Sequence, residues 1–150
     1  CALPISRPGE VRFLVLRDQV RERFGINELQ DAVRALAAKW SPRQIWVEGE
    51  KLGMALEDLL KKEELPIACI PTENKEKTIR AVPLTIMMAA GQVFLPQHNN
   101  SWREGFEAEL LGWTGNPRQT CDQIDAAAYA AIAVKNCYGE TIRVLPVHCH

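Results

Sequence analysis

Three carboxylates in this chain have the type and spacing to hold a hard cation: Glu48, Asp122 and Asp125. Glu48 closes the run Gln44-Ile45-Trp46-Val47, a short apolar strand pattern that follows the breaker Ser41-Pro42. An acid at that point sits where a strand leaves an open α/β sheet, the edge at which such sheets place their chemistry. A lone acid there otherwise simply opens a solvated turn. Asp122 and Asp125 follow Thr120, which with Gln123 reads as a capping box, so both acids fall in the first turns of a helix on one face. A carboxylate at that place complements the helix dipole, worth about 0.3 to 1 kcal/mol. It also stays ionised, as a hard divalent ligand must. Glu48 and Asp122 at one sheet edge would make a divalent-metal site.

The elements that must position these acids follow from periodicity. Val11 to Leu16 is a strand pattern after Pro8-Gly9, and the charged stretch Arg17 to Arg23 suits a turn or exposed edge. Asn27, with Gln30 three residues on, caps a predicted helix whose apolar face is Leu29, Val33, Leu36, Ala37 and Trp40. With Ile45 to Val47 this predicts a right-handed parallel βαβ unit. Leu52, Leu56, Leu59 and Leu60 mark a second helix, and Ile67 to Ile70, bracketed by Pro66 and Pro71, completes a second crossover. A third helical segment opens at Lys75, Lys77 and Arg80, with Ile79, Val82, Ile86 and Ala90 as its apolar positions and Gly91 as its stop. Pro83 within it predicts a kink or a late start of the regular helix.

Gln92 to Pro96 reads as a short edge strand, and Ser101 with Glu104 as a capping box for a helix carrying Trp102, Phe106 and Leu110. After Thr120 comes an alanine-rich helix with Ile124, Ala127, Ala128, Ala131 and Ile132 as its buried stripe, and Thr141 to Leu145 reads as a last strand. The whole is one α/β domain with no internal repeat.

Composition narrows the function classes. With 150 residues, 47% apolar and 25% charged, the chain has an ordinary globular balance. No apolar run approaches a membrane span and no signal peptide opens the chain, which points to the cytoplasm. A net charge of −1 provides no global field for nucleic acid, so DNA binding must rest on a local patch or on metal ions. Five cysteines without a C-x-x-C pair favour reduced thiols, and the ending His148-Cys149-His150 reads as a tail rather than a metal site. A chain opening on Cys1 rather than Met reads as a fragment or a processed product.

The order of motifs then becomes informative. Trp40-Ser41-Pro42, Ile45-Trp46-Val47-Glu48, Gly53, Glu76-Lys77-Thr78-Ile79-Arg80-Ala81, Gly91-Gln92-Val93-Phe94-Leu95-Pro96, Trp102 to Phe106 to Glu109-Leu110, and Cys121-Asp122-Gln123-Ile124-Asp125-Ala126 occur in sequence. Together they resemble the C-terminal nuclease domain of the phage terminase large subunit, the DNA-packaging enzyme, from about Val11 to Ala131. The resemblance implies a ribonuclease H-like α/β fold with a mixed central sheet. It implies an endonuclease that cuts concatemeric double-stranded DNA with acids binding two Mg2+ or Mn2+ ions. It implies as partners the terminase ATPase domain, the small terminase subunit and the portal.

Carried over by position, Glu48 is similar to the acid ending the family's central strand. Asp122 is similar to the second residue of its Asp-Asp pair, and Asp125 to the acid that follows. Lys77 and Arg80 match its K-x-x-R element and would meet the DNA backbone. The expected metal ligands are Glu48 and Asp122, with Asp125 auxiliary.

Two departures stand out. Cys121 occupies the first position of the Asp-Asp pair, and a soft thiol does not suit Mg2+. The family's first catalytic Asp, on a strand upstream of Val11, has no counterpart: Cys1 to Gly9 contains no acid, and Asp18 ends the wrong strand. The chain reads as a nuclease domain lacking its first strand. The unpaired sheet edge this leaves predicts a tendency to dimerise. The alternatives are a catalytically inactive terminase or prophage remnant serving in assembly or DNA contact, and another ribonuclease H-like nuclease such as a junction resolvase. The chain has no G-x-x-x-x-G-K-[ST] loop, so the packaging ATPase lies outside it.

Overall fold

Helices and short strands alternate along residues 2–3, 12–71, 76–97, 101–116 and 118–136, the residues described by the computed structural model. In chain order they are β1 (Ala2–Leu3), β2 (Leu14–Leu16), α1 (Ile26–Trp40), β3 (Ile45–Glu48), α2 (Lys51–Lys61), β4 (Ile67–Ile70), α3 (Lys77–Ala89), β5 (Val93–Phe94), α4 (Ser101–Gly112) and α5 (Asp122–Asn136). The protein is α/β, as its periodicities predict. The expected strand at Thr141 to Leu145 and the His148-Cys149-His150 tail lie outside the described residues.

The centre is β3 beside β4, parallel and in register from Ile45 opposite Ile67 to Glu48 opposite Ile70. Strand alternation sorts their side chains between two cores. Ile45, Val47 and Ile67 join Leu29, Val33, Ala37, Leu56 and Leu60 of α1 and α2 in one core. Trp46 and Ile70 face the other way, toward the core built from Leu14, Leu84, Phe106, Ile124 and the alanines of α5. Glu48 shares the Trp46 face, so alternation alone aims it at the α3 and α5 side. α5 is buried almost all round, from Asp122 at 7% to Val134 at 1% exposure, as an interior helix must be.

Several expectations are corrected. Among the described residues the strands form two sheets, β1-β2-β5 and β3-β4, rather than one central sheet. The first predicted βαβ unit is therefore absent: β2 pairs with β1 antiparallel and β5 parallel, so both its edges are taken and β3 is not its neighbour. The second crossover, β3-α2-β4, forms as expected. α1 is preceded by Gly25 as its cap, whose carbonyl accepts from Leu29 N at 3.0 Å, and Asn27 lies inside the helix.

α3 packs through Ala81, Leu84 and Met87, while Ile79, Val82 and Ile86, the predicted stripe, are 53%, 48% and 62% exposed. Pro83 lies within the helix rather than at its start. The stop at Gly91 holds: Gly91 takes φ +66°, its N–H donates to Met88 O at 3.0 Å and that of Gln92 to Met87 O at 2.8 Å. This double bond pattern closes a helix in the left-handed region that suits glycine. It turns the chain directly into β5.

Candidate functional site

The end of β3 is held by two close approaches that only small residues allow. Gly49 N donates to Ile70 O at 2.9 Å, and a Cβ on Gly49 would stand 2.7 Å from that oxygen. Gly53, buried in the first turns of α2, comes nearer still: a Cβ there would lie 1.9 Å from the carbonyl oxygen of Glu48. α2 is thus seated directly against the backbone of Glu48, fixing where the strand ends and where its last side chain points.

Around the Glu48 carboxylate three segments meet. Oε1 accepts from Tyr129 Oη at 2.7 Å and from Arg80 Nη1 at 3.1 Å, and the same guanidinium nitrogen donates to Tyr129 Oη at 2.9 Å. Arg80 Nη2 lies 3.6 Å from Asp125 Oδ1, so one guanidinium joins Glu48 of β3 to Asp125 of α5. Lys77, one turn before Arg80 on α3, places Nζ 3.0 Å from Asp125 Oδ2 and donates to Cys121 Sγ at 3.7 Å. The Cys121 thiol donates to Asp125 Oδ2 at 3.6 Å. The side chains of Asp125 and Arg80 are 6% and 12% exposed, so this charge network has one solvent-facing side, at Glu48 and Lys77.

Burial pulls the Lys77 ammonium down, but the hydrogen bond and charge of Asp125, reinforced by Cys121, more than offset it and leave its pKa raised. Burial, then the hydrogen bond to the Glu48 carboxylate, pushes the Tyr129 phenol well above its usual value. Burial and the adjacent Asp125 raise the Cys121 thiol. Lys77, Tyr129 and Cys121 are therefore all held protonated at neutral pH. The thiolate form that binds metals and attacks electrophiles is suppressed.

The structure brings Glu48, Lys77, Arg80 and Asp125 together. Asp122 is 7% exposed at the first position of α5, one turn before Asp125, and it is Asp125 that Arg80 joins to Glu48. The expected Thr120 cap is replaced. Cys121 is the residue before the helix, its carbonyl accepting from Asp125 N at 2.8 Å. The α5 N-terminus is capped from α4: Glu109 Oε1 accepts from Gln123 N at 2.8 Å and Ile124 N at 3.1 Å, and Oε2 from Gln123 Nε2 at 2.7 Å.

Tyr129 and Glu109 were not singled out as site residues by sequence reasoning. Glu109 lay in a recognisable Glu-Leu motif, whereas Tyr129 is one polar group in an alanine-rich stripe and has no local signature. Asp18 is engaged elsewhere. Its carboxylate accepts from Lys39 Nζ at 2.7 Å, Trp40 Nε1 at 3.1 Å and Gln19 N at 2.9 Å.

Comparison with protein-family models, with curated proteins and with solved structures returned no match. Among the described residues no group of three or more His, Cys, Asp and Glu is arranged to hold a metal ion, and no helix is long and apolar enough to cross a membrane.

Proposed function

We propose that this chain is a ribonuclease H-like nuclease domain of the terminase large-subunit kind, acting on double-stranded DNA in phage DNA packaging. The observation that carries the reading is convergence. Glu48, Lys77, Arg80 and Asp125 come from three motifs spread over the chain, and they form one bonded cluster at the carboxyl end of a parallel strand. That is where open α/β sheets concentrate their chemistry.

The donors suit Mg2+ or Mn2+ in kind, since hard cations take carboxylate oxygens. Glu48 and Asp125, with Asp122 one turn away, would hold the metal with Arg80, which bridges the two carboxylates in its absence, drawn aside. A bound pair of such ions would supply charge stabilisation and water activation for phosphodiester hydrolysis. The chain's own residues do the rest. Tyr129 fixes the rotamer of Glu48 by donating to Oε1, and Arg80 keeps Glu48 and Asp125 facing one another. Lys77, the more exposed of the two bases, is the one free to leave Asp125 and meet a DNA phosphate.

The acid set is completed by a strand added beside β3, which is hydrogen-bonded on one side only among the described residues. Arg80 Nε and Trp46 Nε1 are both buried without a hydrogen-bond partner in the described structure. The ATPase domain, small subunit and portal are the partners this reading implies.

A second reading has its own observation. Both carboxylates of the cluster are already neutralised by Lys77 and Arg80, which suits a module that contacts DNA or packaging partners without cutting. Nicking of supercoiled plasmid in Mn2+ separates the two. The nuclease reading expects cutting that disappears in Glu48→Gln and in Asp125→Asn, each still folded. Duplex binding without cutting, unchanged by a chelator, establishes the second reading instead. Preference for branched over linear DNA would redirect the assignment to a junction resolvase.

A further inference from the structure

Glu48 and Asp125 already share a cation, and it is a side chain. Arg80 spans the two carboxylates, Nη1 3.1 Å from Glu48 Oε1 and Nη2 3.6 Å from Asp125 Oδ1, while Lys77 Nζ stands 3.0 Å from Asp125 Oδ2. Two acids and two bases leave the cluster with no net charge. A divalent ion shared by the same two acids takes its oxygens at about 2.0 to 2.6 Å, closer than either guanidinium nitrogen stands, and would meet two positive charges in one gap. The acids can therefore gather a metal only as the bases withdraw.

The bases can withdraw while the scaffold stays in place. Both lie one turn apart on α3, which is seated through the buried Ala81, Leu84 and Met87, so a change of two side-chain rotamers is enough. Lys77 is 35% exposed and Arg80 12%, so an acceptor arriving from solvent meets Lys77 first. Glu48 keeps its bond from Tyr129 Oη at 2.7 Å when Arg80 has gone and stays aimed. Arg80 is also incompletely bonded where it sits, with Nε buried and no partner for it in the described structure. A phosphate group offers charge, bidentate acceptors for the guanidinium and a further oxygen for the ammonium.

We propose that Arg80 and Lys77 are a latch on the carboxylates that duplex DNA opens: backbone phosphates draw the two bases off Glu48 and Asp125, so that metal and duplex bind cooperatively. The latch rests on the nuclease reading and adds its regulation, a site closed to metal until substrate arrives. Coupling of this kind is reciprocal, so metal strengthens duplex binding by the factor by which duplex strengthens metal binding. It also accounts for carboxylates that are neutralised in the protein alone.

Two measurements on the full chain test this. In the first, Mn2+ is titrated without DNA and the free ion is followed by its paramagnetic resonance signal. Arg80→Gln should tighten Mn2+ by about tenfold, and so should Lys77→Gln, whose more exposed position keeps the test open if the first variant does not fold. Asp125→Asn should weaken binding by about tenfold. The control Lys51→Gln removes the same charge from an exposed residue at the start of α2, three positions after Glu48, and should change binding by less than about twofold.

In the second, a short fluorescein-labelled duplex is titrated with protein and followed by anisotropy, in Ca2+ and in chelator at equal ionic strength. Ca2+ should strengthen duplex binding by about tenfold in the parent and by about threefold or less in Arg80→Gln, whose carboxylates are already open. Mn2+ binding that neither base variant tightens but Asp125→Asn weakens, or tightening that Lys51→Gln matches, overturns the latch and leaves the nuclease reading standing. An equal Ca2+ gain in the parent and Arg80→Gln does the same. Folded proteins that bind no Mn2+ in any form overturn the nuclease reading and the latch with it.

Discussion

Tyr129 is the side chain on which the carboxylate cluster turns, because its hydroxyl both donates to Glu48 and accepts from Arg80. Removing it with Tyr129→Phe leaves a charged acceptor and a charged donor each short of a bond. Bonds to charged groups contribute about 1.5 to 3 kcal/mol, so a loss on that order is expected at pH 7. The same substitution has a distinct signature in alkali. Tyr129, Lys77 and Cys121 all have folded pKa values raised above their ordinary 10.0, 10.5 and 9.0, and Cys69 is pushed up to about 12 by burial and Glu57. A raised folded pKa means that the native state holds its proton longer than the unfolded chain. Its contribution is full below the unfolded value and is lost as pH rises toward the folded one. Stability should therefore decline from about pH 9 upward, and the part of that decline beginning near pH 10 should be smaller in Tyr129→Phe. Urea midpoints at pH 8, 10 and 11 check this, and identical alkaline slopes in the two proteins would show that Tyr129 is not coupled to Glu48.

α3 shows where a helix can be read and where it cannot. Its existence, its Gly91 stop and its basic start were legible, because breakers and caps are local chemistry. Its buried face was not. Two apolar stripes share the helix, and the bulkier one, Ile79, Val82 and Ile86, faces solvent while Ala81, Leu84 and Met87 pack inward. The choice is made by α5, whose own alanines admit a neighbour only at close range and so favour the stripe containing Ala81. The same reasoning explains α5, where Thr120 offered a cap in sequence but the distant Glu109 of α4 supplies it. Such a cap depends on two helices meeting and leaves no pattern in either. The face assignment predicts a sharp contrast in thermal unfolding. Leu84→Ala should cost about 2 to 5 kcal/mol, as a buried leucine does. Ile86→Ala, on the exposed stripe, should stay within about 0.5 kcal/mol of the parent. Comparable losses in both would mean that the Ile86 face is covered in solution.

At the scale of the whole molecule, the β3-α2-β4 crossover was legible, and β4 to the residue, because bulky consecutive residues between proline breakers leave few alternatives, although Glu48 stays within the strand and Leu59 of the expected α2 stripe is exposed. Most side chains of the cluster were named from sequence as candidates, Glu48, Lys77, Arg80 and Asp125, whereas Tyr129 and the Arg80 bridge between Glu48 and Asp125 needed three dimensions. Strand partnership was the part that failed, since a three-residue strand such as β2 has too little pattern to select its neighbour. The consequence is a molecule with β3 paired on one side only among the described residues, directly beside the acid that ends it. An open strand edge carries backbone donors and acceptors that another strand can satisfy. A parallel or antiparallel partner there would also bring its side chains against Trp46 and Glu48. The expected outcome is self-association that rises with concentration in sedimentation equilibrium, with backbone amides of β3 becoming slower to exchange as the dimer forms. A protein that stays monomeric at high concentration, or that dimerises while the β3 amides exchange unchanged, would place the contact elsewhere and leave the edge to a strand from another chain.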